Sequence, residues 1–153
     1  MVVDPVLTVD PAAVDPVPWA NGAGTTRELA RVTEAEGVTV WRVSVADLER
    51  SAPFSSLPGL DRIFVPLGLV RLTIDGTSID VEAGEQVRFP GEAVVAVVLS
   101  RPTRALNVMT RRGRCVAQVA LRPADAPARG EGTVSVDLGE RIAEVRVTIA
   151  PRL

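Results

Sequence analysis

Arginine beside amide, hydroxyl and aromatic residues is the recurring chemical signal in this chain, and it occurs in three clusters. The first is Pro18-Trp19-Ala20-Asn21-Gly22-Ala23-Gly24-Thr25-Thr26-Arg27-Glu28. The second runs from Trp41-Arg42-Val43-Ser44 through Pro53-Phe54-Ser55 to Asp61-Arg62, and the third is Asn107-Val108-Met109-Thr110-Arg111-Arg112-Gly113. A guanidinium presents a planar fork of donors that grips two carboxylate oxygens in parallel and keeps its charge. Arg27, Arg42, Arg62 and Asn107 are therefore candidates for holding a small carboxylate. Ser44, Ser55 and Thr26 could add hydroxyl bonds, and Trp41 or Phe54 could wall the pocket. Glu28 and Asp61 leave two readings open. They are either general acid–base groups beside an arginine that stabilises developing charge, or partners of the arginines in a structural ion-pair network. A carboxylate beside arginine has its pKa pushed down, which disfavours a base working near neutral pH.

What is missing narrows the chemistry. There is no histidine, and all 17 basic residues are arginine. Mechanisms built on Ser-His, Cys-His or His-metal sets are excluded at once. A single cysteine, Cys115, excludes an internal disulfide and a thiolate metal cage. Gly22-x-Gly24 lacks the third glycine of a dinucleotide loop and the Lys-Ser/Thr of a P-loop. A net charge of −2 gives no draw toward nucleic acid, and Arg111, Arg112 and Arg114 read as a basic turn without neighbouring aromatics. The longest apolar run, residues 93–99, falls far short of the roughly 20 residues that span a bilayer. The first twenty residues carry Asp4, Asp10 and Asp15 and no basic start. The expectation is a cytoplasmic protein with no membrane segment, no nucleic-acid partner and no cofactor.

The elements that must position the clusters read as strands. Residues 38–45, 69–74, 78–82 and 143–149 alternate with a period of two and are rich in Val, Ile and Thr. Alternation puts Arg42 and Ser44 on one face of the first strand, with Trp41, Val43 and Val45 on the other; Asn107 and Met109 likewise share a face. Asp75-Gly76 between two such runs predicts a tight hairpin. Gly22 and Gly24 predict a turn with positive φ, and Cys115 begins an apolar strand as a small buried hydrophobe. Residues 46–50 offer one helical turn. Residues 123–132 read as a loop, after which two strands within 133–150 return to complete the sheet. The whole is expected to be a single all-β domain over residues 1–153, an antiparallel barrel or sandwich with little helix.

Taken together, the three clusters, with Pro58-Gly59-Leu60-Asp61-Arg62 among them, resemble the HutD/Ves family in content and order over residues 18–113. The resemblance fades beyond Arg114. It implies a cupin-like β-barrel or jelly roll, with two compact germin-like halves. Gly84 with Pro90 fits a cupin strand-pair motif, and Asp61 lies at the acidic position that precedes Gly68. Metal cupins place histidines near Phe54 and Ser56; this chain has neither, so the resemblance implies a metal-free member. It further implies a link to histidine utilisation or stress response, with a small carboxylate or formyl metabolite as ligand and a regulatory role.

Three functional readings stand in order. The first is a metal-free protein that binds a small anionic metabolite through Arg27, Trp41, Arg42, Ser44, Phe54, Ser55, Arg62 and Asn107. The second is a metal-independent isomerase, lyase or hydrolase using Glu28 or Asp61. The third is a protein-binding module, a homodimer included, that uses an unpaired sheet edge or the 123–132 loop.

Overall fold

The computed structural model describes residues 7–125 and 133–149. Fourteen strands fall into three sheets, with only two single 3-10 turns, Pro11–Ala13 and Ala35–Gly37, among the described residues. The central sheet has six strands in the order β2 (Val17–Pro18), β3 (Gly24–Thr33), β4 (Thr39–Leu48), β11 (Thr103–Arg111), β6 (Leu60–Pro66) and β9 (Val87–Pro90). A front sheet comprises β5 (Ala52–Pro53), β10 (Val95–Val98), β7 (Val70–Ile74) and β8 (Thr77–Val81). A back sheet comprises β1 (Leu7–Val9), β13 (Val134–Asp137), β14 (Arg141–Ile149) and β12 (Cys115–Pro123).

The central sheet is buried on both faces. Trp41, Val43, Val45, Leu106 and Val108 point backward into one core, shared with Val136, Ala143 and Val145. Ala46, Leu48, Phe64 and Ala105 point forward into a second core, against Leu72, Val81 and Val97. Strands covered on both sides need apolar residues at nearly every position. β4, β6 and β11 largely meet that demand, and among their polar residues Arg42, Ser44, Arg62 and Asn107 form one group. These four polar interruptions all lie on the forward face.

Local expectations hold in several places. Asp75 (φ 48°) and Gly76 (φ 86°) form the left-handed pair that turns β7 into β8. Cys115 opens β12 and is buried, its Sγ donating to the Val40 carbonyl oxygen at 3.3 Å. The strands after residue 133 join β12 in the back sheet. Residues 126–132 of the expected loop lie outside the described residues.

Two expectations need correction. Residues 46–48 are not helical: they extend β4, because Ala46 and Leu48 fill the front core while their backbones pair with β11 and β3. Of the two glycines in the first cluster only Gly22 has positive φ, at 70°. Gly24 is needed for proximity instead, since a Cβ there would stand 2.4 Å from the Asp47 carbonyl oxygen. The fold is all-β and jelly-roll-like, as expected, with sheets that do not close into a barrel. Where β9 faces the free edge of β12, side chains bridge the gap in place of a ladder. Gln86 Nε2 donates to the Val119 carbonyl at 2.7 Å and Arg88 Nη2 to the Ala117 carbonyl at 3.2 Å. That capping blunts an edge on which the protein-binding reading relied. The pairing is antiparallel throughout except where β1 runs parallel to β13.

Candidate functional site

Backbone register sets the polar residues in rows across the forward face of the central sheet. Arg42 on β4, Met109 on β11 and Arg62 on β6 are directly paired, and Ser44, Asn107 and Phe64 form the adjacent row. Beyond the end of the front core this face opens into a cavity of about 360 Å³. Its floor is Arg42, Ser44, Arg62, Asn107 and Met109, and its apolar wall includes Leu48, Phe54 and Leu57. Trp19 and Asn21 close it from the 18–24 turn, and Ser55 stands at the rim.

Arg62 is the electrostatic centre. It is 6% exposed, and no carboxylate pairs with it among the described residues. Its guanidinium lies between two rings, 5.1 Å from the Phe54 centroid and 5.2 Å from that of Phe89. Nη2 donates to Asn107 Oδ1 at 3.3 Å, and the buried Nε has no hydrogen-bond partner among the described residues. Burial, then the nearby Arg42 charge, pulls its pKa down to about 10. Ring faces offset part of the desolvation through cation–π attraction, but they satisfy no N–H.

Arg42 is compensated differently. Its Nε lies 2.8 Å from Glu28 Oε1, an ion pair rather than a hydrogen bond. Glu28 also pairs with Arg31 at 2.7 Å. Residues three apart in a regular strand face opposite ways; these two share a face because a bulge between Glu28 and Ala30 shifts the register of β3.

The turn that carries Trp19 is tightly specified. Asn21 Oδ1 accepts from the Ala23 N–H at 3.0 Å, and the Trp19 carbonyl accepts from the Gly22 N–H at 3.0 Å. Trp19 Nε1 donates to Thr26 Oγ1 at 2.7 Å, and the indole meets Phe54 edge-on at 6.4 Å.

Seven of the residues singled out from the sequence for ligand contact thus converge on the cavity: Thr26, Arg42, Ser44, Phe54, Ser55, Arg62 and Asn107. Trp41 does not. It points into the back core, as the alternation with Arg42 requires. Arg27 also turns elsewhere, donating to the Val14 carbonyl at 2.7 Å and pairing with Asp47 at 3.3 Å beside a separate recess of about 350 Å³. Asp61 is held outside by Arg112 at 2.9 Å, so of the two acids only Glu28 contacts a cavity residue. Arg111, Arg112 and Arg114 bond to the Thr39 carbonyl, to Asp61 and Glu92, and to Glu34 respectively. Trp19, part of the first cluster but not among the expected wall residues, also lines the cavity. Its signal was its place just before an Asn-Gly turn, which carries a side chain off the sheet and over its face.

A family model described as HutD matches residues 12–145. The chain belongs to the HutD family. The match reaches past the motif region into the C-terminal strands. Protein Ves of Citrobacter koseri is 34% identical over 106 residues, covering 66% of this chain and 56% of that protein. Protein Ves of Cronobacter sakazakii is also 34% identical over 106 residues, covering 66% and 58%. The matched part thus spans a little over half the length of these relatives. Among solved structures, HutD from Pseudomonas fluorescens SBW25, in a formate condition, aligns with a TM-score of 0.77 at 22% identity, covering 92% of this chain and 96% of that one. A conserved protein of unknown function from Pseudomonas aeruginosa PAO1 aligns with a TM-score of 0.67 at 31% identity, covering 72% and 60%. In this HutD-family chain all three motif clusters contribute to one cavity: Trp19 and Asn21 from the first, Arg42, Ser44, Phe54, Ser55 and Arg62 from the second, Asn107 and Met109 from the third. Among the described residues no carboxylate lines it, and its donor set of guanidinium, amide and hydroxyl suits an anion rather than a metal ion.

Proposed function

We propose that this HutD-family protein binds a small anionic metabolite, a carboxylate or formyl compound, in the front cavity, and that it serves as a metal-free sensor or regulator linked to histidine utilisation. One observation carries the reading: Arg62 is buried without a carboxylate, with Nε unsatisfied, on the floor of a preformed cavity. A buried cation is costly unless something negative joins it. A ligand carboxylate supplies both the charge and the second acceptor. Membership of the family supports the pathway link. The enzyme reading loses ground because neither Glu28 nor Asp61 lines the cavity.

Thermal unfolding against formate, N-formylglutamate and urocanate, with and without a chelator, tests the proposal. A ligand at a hundred times its Kd adds about 2.7 kcal/mol. For a domain of this size that raises the midpoint by roughly 5–11 °C. A rise that ignores chelator and vanishes in Arg62→Met is the expected result. A flat response to every compound overturns the reading.

A further inference from the structure

We infer that the front cavity selects carboxylates that carry no free amino group, rejecting the corresponding α-amino acids. The inference rests on the anion-site reading above and narrows it. Among the described residues two guanidiniums line the cavity and no carboxylate does. The side-chain oxygens that line it are neutral amides and hydroxyls, which can offer an ammonium no counter-charge, and three of them already accept one bond. Asn107 Oδ1 accepts from Arg62, which leaves the amide its NH₂ to offer. Asn21 Oδ1 accepts from the Ala23 N–H. Thr26 Oγ1 accepts from Trp19 Nε1, so its own hydrogen is free to donate. Glu28 is outside the lining and shared between Arg42 and Arg31.

A carboxylate entering this site meets donors on the floor, while a hydrocarbon body meets Phe54, Leu57 and Leu48. An α-ammonium sits next to the carboxylate it belongs to. Gripping that carboxylate at Arg62 therefore brings the ammonium near the guanidinium that binds it. The ammonium gives up water, gains no counter-charge and faces like charges at short range. Acylation or loss of the amino group removes that penalty and leaves the carboxylate contact unchanged.

Calorimetric titration of the unmodified protein near pH 7 with matched pairs tests the inference: propionate against alanine, and 3-phenylpropionate against phenylalanine. Binding of the acid in at least one pair, with its amino partner at least about tenfold weaker, is the expected result. An amino acid that binds within about tenfold of its acid overturns the selectivity and leaves the anion site standing. Failure of both acids overturns the proposed ligand class, while the anion site is then judged separately by the formate, N-formylglutamate and urocanate series.

Discussion

Arg62 and Asn107 are 45 residues apart in the chain and joined by a 3.3 Å hydrogen bond in adjacent rows of one sheet face. The bond does two things. It fixes the guanidinium beside the cavity floor, and it turns the amide oxygen toward Arg62, which leaves the Asn107 NH₂ to donate to a ligand. The remaining Arg62 donors are left to an incoming anion.

If Arg62 is kept for binding rather than for stability, Arg62→Met should separate the two. Replacing a buried, unpaired charge with an apolar side chain of similar volume is often neutral or stabilising, by about 1–4 kcal/mol. The midpoint of thermal unfolding is expected to hold or rise, while the carboxylate-induced shift disappears. A large fall in the midpoint with ligand response intact would show the arginine to be scaffold.

The depressed Arg62 pKa has a defined consequence at high pH. The folded value, about 10, lies below arginine's ordinary range, so above pH 10 the unfolded chain holds more protons at this site than the folded one. Stability contributed by Arg62 therefore rises as pH climbs past about 10, and the cost of its buried charge is felt in full below that. Anion affinity runs the other way. It should stay level from pH 6 to 9 and weaken above about 10 as the cation is lost. Titrations across that range check both signs.

Glu28→Gln should strengthen anion binding. The carboxylate offsets Arg42, and at 40% side-chain exposure its field is partly screened. A gain of about two- to fivefold in carboxylate affinity at low salt, shrinking at high salt, is expected from calorimetry. Weaker binding would mean that Glu28 chiefly orients Arg42.

The two tryptophans give a direct optical test of where a ligand sits. Trp19 lines the cavity, whereas Trp41 is buried in the back core on the other side of the same sheet. Ligand-dependent change in tryptophan fluorescence should vanish in Trp19→Phe and persist in Trp41→Phe. The opposite pattern would move the ligand to the other side of the sheet.

Gly24→Ala should loosen the turn that carries Trp19. The added Cβ meets the Asp47 carbonyl oxygen, a backbone atom held between strands. Overpacking of this kind costs about 1–3 kcal/mol, or roughly 2–12 °C in midpoint. Ligand affinity should fall with it.

By itself the sequence determined which residues share a face and which chemistry is unavailable. Alternation is a local property of the extended chain, so Arg42 with Ser44, and Asn107 with Met109, were legible at once. The absence of histidine was equally plain. Period two assigns sides only relative to one another; it does not say which side faces a cavity. That ambiguity left Trp41 and Phe54 as equal candidates for the wall, and the burial of the central sheet on both faces resolved it. Residues 46–48 looked helical because two apolar residues around one acid carry no decisive period; pairing on both sides made them strand. Strand register, a long-range property, brought Arg62 to Asn107 and set Arg42, Met109 and Arg62 in one row. A single bulge in β3 turned Glu28 and Arg31 onto the same face, which no strand pattern foretells. The tertiary structure thus decided that Arg62 is buried with no carboxylate beside it among the described residues, because pairing depends on what the neighbouring strands bring within reach.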